Sequence, residues 1–136
     1  MGRRGMTELV FVYGTLKRDG SNFYVMRKAG GDFKCKALTL PYYNLISFGG
    51  FPGMRAGTEC KYRISGELFE ITDISPIDIL EGHPTFYRRR KISVVGIVKP
   101  KVQHQRAWAY FIKEPLFVGL KEGVKEKNGI QWWDNQ

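Results

Sequence analysis

Apolar and polar residues alternate in short runs along most of this chain, and the runs stop at glycines, prolines and serines. A period of two over four to eight residues is the mark of a β-strand. The first such run is about Glu8 to Tyr13, where Val10-Phe11-Val12 reads as a buried strand. Others lie near Phe33 to Leu40, Tyr42 to Ser47, Tyr62 to Thr72, Tyr87 to Val98 and Arg106 to Lys113. In Tyr62 to Thr72, Ile64, Gly66, Leu68 and Glu70 fall on one face. The segment Phe48-Gly49-Gly50-Phe51-Pro52-Gly53-Met54 is too rich in Gly and Pro for either regular element and is expected as loop. The tail after Pro115, with Gly119, Gly123 and Gly129 among lysines, is expected to be irregular. Residues 1–6 are expected to be irregular, either because the first five are a frayed tail or because Met6 is an alternative start.

Two short helices interrupt the strands. Ser21 is placed as N-cap of a helix over Asn22 to Ala29, with Phe23, Met26 and Arg27 on one face and Gly30-Gly31 as its stop. The second helix follows Ser75: Pro76 suits the first helical position, Ser75 and Asp78 suit a capping-box variant, and Gly82 and Pro84 end it. With no linker and no repeat, 1–136 reads as a single domain. Many strands and few helices imply an α+β fold around a curled or barrel-like sheet.

Composition narrows the function classes. A hydrophobic share of 43% in 136 residues suits a folded chain with a real core. The net charge of +9 favours acidic partners, whether small anions or nucleic acid. The densest cluster, Arg88-Arg89-Arg90-Lys91, falls in a strand, so its charges should split between two faces. Aromatics do not interleave with it as a stacking platform requires, which argues against nucleic acid. Cys35 and Cys60 are isolated, and with His83 and His104 they form no zinc pattern; two such thiols fit a reducing cytoplasm. His83 is expected at the surface and His104 in a polar loop. No stretch reaches membrane-spanning length, and no secretory or myristoylation signal is present. The serines lack a GxSxG setting and Gly14 to Gly20 is not a Walker A loop. Trp132-Trp133 docks the tail onto the body or stacks a ligand.

Two places carry candidate chemistry. At Tyr13-Gly14-Thr15-Leu16-Lys17 a buried strand runs into a tight loop. Its glycine permits close approach of a ligand, and its successive backbone N–H groups can form an anion-binding concavity; the plain alternative is a strand that ends in a turn. On the second helix, Ile77 and Glu81 are i and i+4 and share the face that meets the core. Burial there raises the Glu81 pKa towards the range of a general acid or base; the alternative is a pair with Arg88 or Arg89. Asp78 is the second acid, with a capping role. Tyr87 is either a core tyrosine or a hydroxyl that reaches the Glu81 cavity.

The residues also carry a resemblance. Phe11-Val12-Tyr13-Gly14-Thr15-Leu16-Lys17, Phe51-Pro52-Gly53-Met54, Gly66-Glu67-Leu68-Phe69-Glu70-Ile71, and Asp78-Ile79-Leu80-Glu81-Gly82 with Tyr87-Arg88 occur in one order. Together they resemble the γ-glutamylcyclotransferase-like (AIG2-like) family over about residues 8 to 112. The resemblance implies a small antiparallel-rich mixed β-barrel with flanking short helices. It implies cyclisation of a γ-glutamyl compound to 5-oxoproline with release of an amine, without metal or organic cofactor. It puts the acid–base role on Glu81 and substrate binding on Tyr13, Gly14, Thr15, Leu16 and Tyr87. Ile77, where the family often has Leu, and the basic strand after Tyr87 depart from its pattern. The other class consistent with the residues is a non-catalytic binding module for a small anion or nucleic acid. Oligomeric state and the identity of the released amine are not written in these patterns.

Overall fold

The computed structural model of the chain describes residues 7–113 and 121–135. Its elements in chain order are β1 (Glu8–Val12), α1 (Phe23–Lys28), β2 (Asp32–Thr39), β3 (Tyr43–Ser47), β4 (Pro52–Ala56), β5 (Arg63–Ile71), α2 (Ser75–Glu81), β6 (Tyr87–Val98), β7 (Lys101–Ile112), β8 (Val124–Lys127) and β9 (Ile130–Trp133). The expected α+β barrel is what forms. β1, β5, β2, β6 and β7 pair in that order, and a parallel contact between Val10 and Trp108 returns β7 to β1. Five strands therefore close a barrel, which removes its free edges. β3 and β4 extend it beside β7, and β8 and β9 extend it beside β5.

β1 and β5 are buried on both faces because the pleat sends alternate residues to two apolar clusters. Phe11, Ile64 and Leu68 pack inside the barrel with Val94, Ala107 and Ala109. Val10, Val12, Phe69 and Ile71 pack outside it, under Met26 and Ala29 near α1 and Ile77 of α2. Helices this short are held by such packing rather than by propensity. Burying Ile77 completely contributes about 1.5–3 kcal/mol.

Several expectations change. Pro52, Gly53 and Met54 belong to β4, not to a loop. Pro52 starts the strand, where its missing N–H costs least, and β3 supplies an antiparallel partner from Tyr43 to Ser47. The tail is not irregular: β8 and β9 form a hairpin around Asn128 and Gly129, both at positive φ. An Asn-Gly pair is the strongest short hairpin signal a sequence holds. Of the segments expected as irregular, residues 1–6, including Met6, and residues 116–120 and 136 lie outside the described residues. Ser21 is not a cap: Asn22 occupies that position, its side chain making no capping bond, and the buried face of α1 is Val25 and Met26, with Arg27 exposed. His104 lies exposed on β7 rather than in a loop. Trp133 is buried in the barrel cluster, so this one of the two tryptophans docks the tail. No disulfide joins Cys35 to Cys60. No described helix is long and apolar enough to cross a membrane.

The basic run of β6 does split. Arg89 and Lys91 lie towards the Trp108 ring, whereas the Arg90 guanidinium covers Phe111 at 4.1 Å. Aromatics therefore do interleave with the cluster in space, but cations cover them and no open stacking surface results.

Candidate active site

β1 delivers the chain to the wall of a cavity of about 310 Å³, lined by Tyr13, Gly14, Thr15 and Leu16 on one side and by Leu80, Glu81 and Tyr87 on another. Gly50, Phe51, Pro52 and Phe86 complete the wall, as does Tyr110. All six residues singled out for the site in the sequence thus meet around one space. The loop and Glu81 are far apart in the chain, and the barrel brings them together because β1 and β7 are neighbours and α2 packs over both.

The loop is held from several sides. Lys17 N–H donates to the Gly14 carbonyl at 3.2 Å, and Asn22 N–H to the Thr15 carbonyl at 2.9 Å. Asn22 Nδ2 donates to Thr15 Oγ1 at 2.9 Å. Buried Glu67 of β5 accepts from Arg18 N–H at 2.9 Å and pairs with its guanidinium. From the tail, Asn135 Nδ2 reaches the Gly14 carbonyl at 3.1 Å, and the Lys17 ammonium donates to the Trp133 carbonyl at 3.0 Å. Gly14 is required for space: a Cβ there would come within 2.7 Å of Pro52 Cγ. The N–H groups of Gly14, Thr15 and Leu16 take no partner among the described residues. Among the described residues the cavity lining contains no Lys or Arg, so these amides are its main electropositive groups.

Three tyrosines brace the cavity. The Tyr13 hydroxyl donates to the Tyr110 carbonyl at 2.7 Å and accepts from Met54 N–H at 3.0 Å, which ties β7 to β4. The Tyr87 hydroxyl donates to the Pro52 carbonyl at 2.5 Å. Tyr87 thus reaches the cavity wall with its hydroxyl already engaged. Burial, and after it the charge of Glu81, pushes the Tyr87 hydroxyl far above its ordinary range. Burial, then Tyr87 and Glu81, does the same to Tyr13. Both hydroxyls therefore stay protonated.

Neither Ser75 nor Asp78 caps α2. The N-cap is Ile74, and Asp73 Oδ1 accepts from Ser75 N–H at 3.0 Å instead. Gly82 closes the helix in the left-handed conformation at φ 66°. Asp78 turns towards the barrel, where Arg89 grips it through Nε at 2.8 Å and Nη2 at 3.2 Å, and the Tyr110 hydroxyl donates to it at 2.5 Å. Burial opposes its ionisation, but the bonds from Arg89 and Tyr110 outweigh it, and the carboxyl lies below its usual value. His83 is half-buried rather than at the surface, and its Nδ1 accepts from Arg89 N–H at 3.3 Å.

Glu81 is treated differently. Arg89 is committed to Asp78, and Glu81 has no hydrogen bond or ion pair among the described residues. Burial alone raises its pKa from 4.5 to about 7. The pairing with Arg88 or Arg89 that would have made it structural does not form. No three His, Cys, Asp or Glu side chains among the described residues gather as a metal site requires.

The chain has relatives in sequence, and its fold has counterparts among solved structures. The sequence model of the family described as gamma-glutamyl cyclotransferase, AIG2-like, matches residues 10–134. The chain belongs to this family. Its AIG2-like relatives include a Methanocaldococcus jannaschii protein named putative gamma-glutamylcyclotransferase. That protein is 31% identical over 121 residues, which cover 85% of this chain and 93% of the relative. A Vibrio cholerae protein of the same name is 32% identical over 113 residues, covering 80% of this chain and 85% of that one. The crystal structure of an AIG2-like protein from Mus musculus superposes with a TM-score of 0.66 at 23% identity, over 77% of this chain and 76% of the mouse chain. That likeness establishes the AIG2-like fold.

Sequence reasoning missed the residues that hold the site together. Asn135 and Tyr110 carry no local pattern that marks them, Glu67 stands out only as part of a strand motif, and Arg89 suggests itself as a partner of Glu81 rather than of Asp78. Their roles depend on contacts across 49 to 121 positions of sequence for Glu67 and Asn135, and on the β6–β7 pairing for the others.

Proposed function

We propose that this chain is a cyclotransferase that converts a γ-glutamyl compound to 5-oxoproline and releases an amine, with Glu81 as general base and then general acid. The observation that carries the reading is one cavity that joins a half-buried carboxylate, unpaired among the described residues, to a loop of unpartnered amides.

The chemistry follows from those groups. The substrate's α-ammonium is not a nucleophile until it loses a proton. A carboxyl at its ordinary 4.5 is far from an amine in proton affinity, and at about 7 the gap narrows. Ionised Glu81 takes the proton, and the freed amine attacks the γ-carbonyl carbon of the same molecule. A C–N bond forms, and the carbonyl oxygen becomes an oxyanion that the amides of Gly14, Thr15 and Leu16 can hold. Its collapse breaks the bond to the leaving nitrogen, which receives the proton held by Glu81. The ionised carboxyl then takes the second proton from the ring nitrogen and passes it to the released amine, which departs as its ammonium form. The carboxylate is restored and no other reactant is used. Because both reacting groups belong to one molecule, the cavity's main task is to fold the substrate into a near-attack geometry.

Assay of 5-oxoproline release from γ-glutamyl amino acids, γ-glutamylamines and glutathione tests this. Turnover of at least one class, lost in Glu81→Gln, is the expected result. No product from any of them would leave a non-catalytic binding module as the better reading.

A further inference from the structure

A second concavity opens at the end of the barrel, on the row of β6 that faces the barrel interior. Ile92 and Val94 of that row are core residues. Two and four positions before Ile92 the same row continues as Arg90 and Arg88, both exposed. With Arg55 of β4 and Lys113 beyond β7 they line a pocket of about 400 Å³ floored by Phe111. Arg88 and Arg90 make no ion pair among the described residues. Arg55 is paired with Glu59 at 3.1 Å, and that carboxylate is well exposed.

We infer that this pocket binds a small ligand carrying two or more linked phosphates. Arg88 and Arg90 of β6 and Lys113, just beyond β7, converge on one concavity beside the Arg55–Glu59 pair and repel one another until an anion fills it. Arg88 and Arg90, two residues apart on one face, stand roughly 7 Å apart along the strand, a span that suits neighbouring phosphates. The Arg90 guanidinium lies flat on Phe111 at 4.1 Å, which fixes its plane and leaves its N–H edge for an oxyanion. Arginine forks match phosphate oxygens in pairs. The pocket's volume is that of a small-molecule site. A nucleic-acid surface would need open rings to stack bases, and Phe111 is buried beneath Arg90 while Trp108 faces Arg89 and Lys91. None of these residues lines the Glu81 cavity, so the inference does not depend on the proposed reaction.

Calorimetric titration of the full chain with tripolyphosphate, at about 150 mM salt to screen unspecific attraction, tests it. Saturable single-site binding is expected, at least about tenfold tighter than that of inorganic phosphate. The double variant R88E/R90E should weaken it by about 30-fold or more. K125E/K127E, the same change of net charge on exposed β8, should leave it within about twofold, as should Glu81→Gln. If R88E/R90E does not fold, the exposed single changes R88Q and K113Q replace it, each expected to weaken binding by about threefold or more. Absence of binding up to about 5 mM tripolyphosphate would overturn the inference, as would equal losses in the two double variants. So would tight binding of single-stranded RNA of about 20 nucleotides in place of tripolyphosphate, because a strand of that length tracks an open groove rather than a pocket.

Discussion

Asp78 and Glu81 stand three residues apart on one seven-residue helix, and the two ends of that helix meet different surroundings. Asp78 faces β6 and β7, where a guanidinium and a phenol hold its carboxylate. Glu81 faces the cavity, where burial acts and no cation answers it. The two residues have nearly the same chemistry. The difference between them is the supply of partners, and it divides one helix into an anchored end and a reactive end. The Arg89 that could have quenched Glu81 is the residue that anchors Asp78, so the second depends on the first.

The sharpest way to break this division is to remove each carboxylate in turn. Glu81→Gln preserves size and hydrogen bonding but cannot exchange the proton, and turnover of a γ-glutamyl substrate should fall by roughly 10²–10⁴. Asp78→Asn should cost less than about tenfold, because it touches the reaction only through the position of α2. Comparable losses in the two variants, measured as kcat on the same substrate, would end the distinction.

The next effect is on stability against pH. The folded-state pKa of Glu81 is raised above the unfolded value, so its protonated form is the one the fold tolerates. That tolerance is complete below about 4.5 and is lost as pH rises through about 7. Glu81→Gln should therefore gain on the wild type across this window, by up to roughly 3 kcal/mol above pH 7. Denaturant unfolding at pH 4 and pH 8 measures the gain. An advantage that does not change with pH contradicts a desolvated carboxyl.

Tyr13→Phe removes a hydroxyl that serves β4 and β7 together and leaves Met54 N–H without its acceptor. The expected loss is about 1–3 kcal/mol in chemical unfolding. A neutral result would show that the two strands do not depend on this tie.

Asp78→Asn should destabilise by about 1 kcal/mol, since solvent reaches its ion pair and weakens it. Here the sign is opposite to that of Glu81. The folded-state pKa is lowered, so the contribution is present above 3.8 and fades as pH falls below it. A deficit in Asp78→Asn that persists undiminished at pH 3 would contradict the ion pair.

Much of this was legible in the sequence, and the division follows a physical line. β2, β3, β5 and β6 were readable because their alternation reports which face meets the core. Glu81 was readable because i, i+4 spacing ties it to Ile77, which is fully buried. The roles of Ser75 and Asp78 were not. Capping is a local pattern, and here a tertiary partner, Arg89, competes for Asp78 and wins. β4 was hidden by its own Pro and Gly, which local propensity counts as breakers but which the first positions of this strand, paired with β3, accommodate. β8 and β9 were hidden by exposed lysines, although Asn128-Gly129 marked their turn. The ties that fix the Gly14 loop, from Glu67 and Asn135, join distant parts of the chain and leave no trace in any window of sequence.

The division of α2 into anchored and reactive ends turns on Glu81 being a carboxyl poised near neutrality by burial, without a partner among the described residues. That state is tested most directly by following its side-chain carboxyl ¹³C shift against pH in labelled protein, with Glu81→Gln to assign the resonance. A midpoint near 7 that disappears in Glu81→Gln is the predicted result. A midpoint between about 4 and 5, the ordinary range for glutamate, would contradict it.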